Sequence, residues 1–194
     1  MTRSLKTTSP TSTPSHENHL HPSEARWFAV YTGYKREKKV VSLLEKKGIT
    51  AYVPLQKLTR HYTRKVKKVE LPLISCYVFV HITQSQYVPV LETQFVQRFL
   101  KIDRNLLAIP EREINLLRQI VGEIEGVEAD VSTLHQGDEV EVIGGQLTGL
   151  RGTLVEIKGR QCLVIALQTL GYDLLMEVSP QQVRKLRNKP SSAA

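Results

Sequence analysis

The run Leu71 to Ile82, LPLISCYVFVHI, limits what this chain can fold into more than any other stretch. Its last seven residues, Cys76-Tyr77-Val78-Phe79-Val80-His81-Ile82, are almost all apolar or aromatic, a strand composition in a run too short for a helix. Successive side chains on a strand point to opposite faces, so Cys76, Val78, Val80 and Ile82 line one side while Tyr77, Phe79 and His81 line the other. The aliphatic side is a natural seat for a helix. The aromatic side needs either a second covering layer or a partner from another molecule, and which of the two covers it is the functional question.

The sequence around this strand supplies the rest of a small α/β body. Arg26 to Thr32, RWFAVYT, is a β-rich run closed by Gly33, and from Tyr34 the spacing turns helical, with Val40, Leu43 and Leu44 apolar and Gly48 as the stop. Ile49 to Val53 reads as a second strand cut by Pro54, and Phe95 to Ile102 as another. Gln84 to Glu92, interrupted by Pro89, has room for one or two helical turns. Pro110 to Ile124 is an amphipathic helix with Ile114, Leu117, Ile120, Val121 and Ile124 on one side. Beyond residue 134 the pattern changes to short β-runs, 139–143, 152–157, 161–167 and 174–178, separated by glycines. Short strands at that density argue for a small barrel, because closing the sheet removes its exposed edges. The fold class is therefore α+β, with an N-terminal α/β sandwich-like domain over 26–122, a linker over 123–133, a C-terminal β-barrel over 134–187 and tails at 1–25 and 188–194. The first tail, rich in Thr, Ser and Pro, buries too little surface to offset its ordering entropy and is expected to be disordered.

Charge is divided along the chain rather than spread over it. Residues 26–70 hold 13 Lys and Arg against 3 Glu, whereas residues 111–141 hold 9 acids against 2 Arg. A basic surface of this kind points to a polyanion, here nucleic acid; its plain alternative is a solvated face with no partner. Lys57 to Glu70 is the most basic stretch, and its alternation of Tyr62, Arg64, Val66 and Lys68 suits a β-hairpin carrying a charged finger.

Several function classes find no support. The chain has no run of transmembrane length and no apolar signal segment, so it is expected to be cytoplasmic, without membrane contact, and monomeric. Cys76 and Cys162 each sit in an apolar run and read as buried thiols of a reducing compartment. His16, His19 and His21 lack a Cys or a fixed scaffold beside them and read as part of the tail, so no metal and no cofactor are expected. With no P-loop and no nucleophile elbow, the chain is not read as an enzyme.

Two sets of residues carry a family resemblance. Gly137 to Ile143, then Gly144-Gly145, then Leu147-Thr148-Gly149-Leu150-Arg151-Gly152-Thr153-Leu154-Val155 resemble the KOW module, an SH3-like barrel in which Gly149 and Gly152 would be structural. Trp27 to Thr32, the basic residues opening the next helix, and Pro72-Leu73 leading into Tyr77-Val78-Phe79-Val80 resemble the N-terminal domain of NusG. That domain, a linker and one KOW module together make the NusG architecture, and Gly48 to Pro54 with Ile109 to Ile114 look closest to the specialised RfaH-like and UpxY-like antiterminators.

The resemblance implies a transcription elongation and antitermination factor that binds the clamp helices of RNA polymerase through an aromatic depression, placed at Tyr31, Tyr77, Phe79 and Phe99. It implies that Lys35, Arg36, Lys38, Lys39, Arg64, Lys65 and Lys67 face non-template or upstream DNA, with Tyr34, His61 and Tyr62 available for stacking on bases. It also implies an exposed apolar residue in a late KOW loop, here Leu170, that engages ribosomal protein S10 or the termination factor Rho. Alternatives are a housekeeping factor that supports pausing and Rho-dependent termination, or an RNA-binding ribosome-associated KOW protein. In RfaH-like proteins the KOW body can refold as helices and mask the polymerase site; the Val- and Ile-rich runs here favour β structure. One departure stands out: where the family commonly has Phe-Pro-Gly before the tyrosine, this chain has Ile74-Ser75-Cys76, which implies a more regular approach to the strand.

Overall fold

The computed structural model describes residues 17–62, 65–123, 128–131, 137–144, 147–157, 160–178 and 180–186. An antiparallel four-stranded sheet forms the centre of the N-terminal body. It takes β1 (Arg26–Thr32), β2 (Thr50–Tyr52), β5 (Tyr77–Ile82) and β6 (Val96–Phe99) in the order β2-β5-β1-β6, which puts the aromatic strand in the interior. Two longer strands, β3 (Leu55–Tyr62) and β4 (Lys65–Pro72), form a separate hairpin paired from Leu55↔Pro72 to Tyr62↔Lys65.

The period-two alternation of β5 divides the core as its sequence requires. Val78, Val80 and Ile82 join Phe28 and Val30 of β1 under α1 (Glu37–Lys46), whose Val40 and Leu44 are fully buried against them. The other face holds Tyr77 and Phe79 with Trp27 and Ala29. Here α3 (Glu111–Glu123) supplies Ile114, Leu117 and Ile120. A short helix α2 (Tyr87–Leu91) follows a 3-10 turn at Gln84–Gln86. Among the described residues no helix is long and apolar enough to cross a membrane.

The C-terminal body is a six-stranded antiparallel sheet. Strands β8 (Asp138–Val142), β9 (Arg151–Ile157), β10 (Arg160–Leu167) and β11 (Tyr172–Glu177) follow one another, and β12 (Val183–Lys185) returns to pair with β8 as a barrel requires. Gly149 has φ +89°, a left-handed turn position. Gly152 serves differently: a Cβ there would come within 2.4 Å of the Val164 carbonyl oxygen, so the glycine is required by the close approach of β10 rather than by its own backbone angles.

Two boundaries differ from expectation. Residues 17–24 do not behave as tail. Leu106 N–H donates to the Glu17 carbonyl at 2.9 Å, His19 N–H donates to the Leu106 carbonyl at 2.9 Å, and Ala108 N–H donates to His19 Nδ1 at 3.1 Å. Pairing with a distant loop, together with Leu20 packed on the core under α1, supplies the ordering that composition could not reveal. Within the expected linker, Glu128–Val131 forms β7, which pairs with β11 on the outer edge of the C-terminal sheet. His16 and Arg64 lie outside the described residues.

Candidate functional site

The site grows from the register of β1 on β5. Ala29 pairs with Phe79 and Tyr31 with Tyr77, so the four share a face. Phe79 is 0% exposed and its ring lies 6.3 Å from that of Tyr52. The Arg118 guanidinium of α3 sits 5.3 Å from the centres of both Trp27 and Tyr52. Burial pushes the Tyr52 phenol up to about 12, against a smaller opposing pull from the Arg118 charge.

Tyr77 is the pivot. Its hydroxyl donates to the Tyr31 hydroxyl, the two ring centres are 4.4 Å apart, and Arg98 lies 4.6 Å above the Tyr31 ring. From the C-terminal body, Tyr172 meets the Tyr77 ring edge-on at 5.7 Å. Burial first, and then its hydroxyl contacts with Tyr31 and Tyr172, raise the Tyr77 pKa far above that of a free tyrosine. Next to this stack, Glu113 of α3, only 6% exposed, accepts hydrogen bonds at Oε1 from the Thr169 hydroxyl at 3.0 Å and the Thr169 N–H at 3.4 Å. The aromatic face is thus covered within the chain, by α3 and by the β10–β11 loop of the C-terminal body. The apolar core runs without a break from Trp27, Tyr77 and Phe79 through Ile114 and Leu117 to Leu163, Leu170 and Leu174. A cavity of about 710 Å3 beside this junction is lined by Arg112, Leu116 and Gln119 of α3 and by Leu150 and Gln168, which flank β9 and β10.

Two expected site residues fall elsewhere. Phe99 pairs with Val30 and therefore belongs to the opposite face, where it packs edge-on to Phe28 and stacks on Tyr87 at 4.5 Å. It meets Tyr31 only around the sheet edge, where both line a cavity of about 400 Å3. Leu170 is not an exposed anchor: it is 6% exposed and folded into the core, because the loop that carries it is the one that docks on α3.

The basic residues gather where α1 begins. Lys35, Arg36, Lys38 and Lys39 are all exposed around its first turn. Lys38 Nζ donates to Glu70 Oε2 at 3.0 Å, and that bond holds the Glu70 carboxyl below the usual range. Tyr34, 69% exposed, lies under the Lys35 ammonium at 4.9 Å, and both line a cavity of about 580 Å3 with Lys38, Gln56 and Ser75 at the root of the hairpin. Lys65 and Lys67 fall on β4, beyond that root. Among the described residues no group of three or more His, Cys, Asp or Glu could hold a metal ion.

The approach to β5 is not more regular. Cys76 adopts φ +65°, a left-handed conformation disfavoured for any residue with a Cβ. It is held there by its N–H donating to Glu37 Oε1 at 2.7 Å and its carbonyl accepting from Thr32 N–H at 2.8 Å. The bend is therefore made without a glycine, and it carries strain. Cys76→Gly is expected to stabilise the N-terminal body by about 0.5 to 1 kcal/mol in urea unfolding, the strain relieved outweighing the extra freedom of the unfolded glycine.

Residues 25–118 match the family model described as transcription termination factor nusG. The chain carries a NusG-family domain. The aromatic face, α1 and the hairpin all lie within the matched region. The solved structure of Thermotoga maritima NusG, reported for its domain interaction, shares the fold at a TM-score of 0.53 with 19% identity, covering 84% of this chain and 98% of that one. The MjSpt4:Spt5 complex in its conformation B aligns at a TM-score of 0.32 with 20% identity, covering 82% of this chain and 96% of that one, too low a score to carry an argument. No curated protein matches the chain.

Residues that sequence reasoning missed are Glu113, Thr169, Tyr172 and Arg118. The late loop that carries Leu170, expected to meet another protein, instead meets the chain's own α3 and β5 through Thr169 and Tyr172.

Proposed function

We propose that this NusG-family protein is a bacterial transcription elongation factor of the specialised antiterminator type, held in a closed state and opened at the polymerase. The observation that carries this reading is the Tyr31, Tyr77 and Phe79 face lying under Tyr172, Thr169 and α3. In the open state Tyr31 and Tyr77 meet the polymerase clamp helices, and the α1 lysines with Lys65 and Lys67 of the hairpin track non-template or upstream DNA through phosphates. A covered face supports a conditional factor over a housekeeping one, since only the open fraction binds and the apparent affinity is scaled by that fraction. Ribosomal protein S10 or Rho would then meet the C-terminal body only after release.

Single-round transcription with bacterial polymerase tests the reading at a Rho-dependent terminator. Added protein is expected to raise readthrough. Increased termination would assign the chain to the housekeeping alternative, and no effect from an opened variant would remove it from elongation altogether.

A further inference from the structure

The cavity of about 710 Å3 at the junction has walls from both bodies and carries two charges that nothing else in the fold uses up. Glu113 of α3 lines it and is only 6% exposed, yet its two carboxylate oxygens are unequally served. Oε1 accepts both bonds from Thr169, whereas Oε2 is buried and has no hydrogen-bond partner among the described residues. A carboxylate oxygen kept from water without a donor is costly, so a donor that reaches it recovers that cost. Arg112, the preceding residue, lines the same cavity, is exposed, and makes no ion pair among the described residues. Leu116, Leu150 and Ala166 give the cavity an apolar wall beside the two charges. An apolar lining with a few charged groups that fix orientation is the make-up of a small-ligand site, and this volume takes a molecule larger than a single amino acid.

We propose that the junction cavity binds a small zwitterion with an apolar body, of the class of a short aliphatic peptide. Its ammonium donates to Glu113 Oε2, which comes within reach by a turn about the last side-chain torsion, a soft one in glutamate. Its carboxylate pairs with Arg112, and its side chains lie against Leu116, Leu150 and Ala166. Most of the affinity comes from Glu113, because that carboxylate is buried; the Arg112 contact lies in water and adds little. With one wall on α3 and the other on the C-terminal sheet, an occupied cavity holds the two bodies together. The binding needs only the docked arrangement of the structure. Its consequence, weaker capture by polymerase, rests on the function proposed above.

Isothermal titration of the full-length chain with leucyl-leucine, its N-acetyl form and its C-terminal amide tests the site. Leucyl-leucine is expected to bind and to slow hydrogen exchange along α3 and at residues 166–168. N-acetylation is expected to weaken binding about thirtyfold and amidation about threefold. No binding, equal affinity for the three peptides, a greater loss from the amide than from the acetyl form, or protection elsewhere would overturn the proposal. A variant places the peptide without disturbing the bonds from Glu113 to Thr169. Ala166 is exposed, so Ala166→Trp narrows the cavity from the sheet side and leaves the core alone. It is expected to weaken leucyl-leucine at least about tenfold with urea unfolding unchanged; unweakened binding would put the peptide elsewhere and overturn the assignment. None of these readouts involves polymerase, so their failure would leave the proposed function standing.

Discussion

Phe79→Ala is expected to destabilise the N-terminal body by about 4 kcal/mol, the cost of deleting a large side chain from a closed core. Phe79 has no exposed surface, lies on an interior strand and is surrounded by Trp27, Tyr52, Ile114 and Leu117. Urea unfolding followed by the Trp27 fluorescence would read the loss; a change below about 1 kcal/mol would mean that the ring is not packed as described. The same result decides how a binding experiment should be designed. A Phe79 variant that fails to bind polymerase reports an unfolded domain, so the contact must be probed from the covering side.

The covering side gives the second large effect. Thr169→Ala removes the hydroxyl that donates to a buried carboxylate, and Tyr172→Ala removes the ring edge against Tyr77. Hydrogen bonds to charged groups and aromatic pairs of this kind together contribute about 3 kcal/mol, so the double variant should shift the closed-to-open ratio roughly a hundredfold. Both residues belong to the C-terminal body, which leaves the sheet of the N-terminal body intact. Faster hydrogen exchange along α3 and β5, with unchanged unfolding of the N-terminal body, is the expected signature. Unaltered exchange there would mean that Thr169 and Tyr172 do not hold the cover.

The strands were legible in the sequence because their signal is local. The alternation through Tyr77, Val78, Phe79 and Val80 sorted the two faces correctly and seated α1 on the aliphatic one. Phe99 was misplaced because its face is set by the register of β6 on β1, a pairing between segments about seventy positions apart that no local pattern encodes. The cover over Tyr77 and Phe79 was invisible for the same reason: Glu113 and Thr169 are 56 positions apart. Leu170 had the composition of an exposed anchor, and only the docking of its loop buries it. Cys76 shows a third kind of limit. Its left-handed backbone is imposed by bonds to Glu37 and Thr32, and a cysteine in the sequence gives no sign of it.

The central claim is that the aromatic face is a polymerase contact hidden by the chain's own C-terminal body. The most direct test is the affinity of the polymerase clamp helices for the full-length natural chain and for the full-length Thr169→Ala, Tyr172→Ala variant, measured side by side. The account predicts tighter binding by the variant, about tenfold or more, because the competent fraction rises while the contact surface is unchanged. Equal affinity, or loss of binding when the cover is loosened, would contradict it.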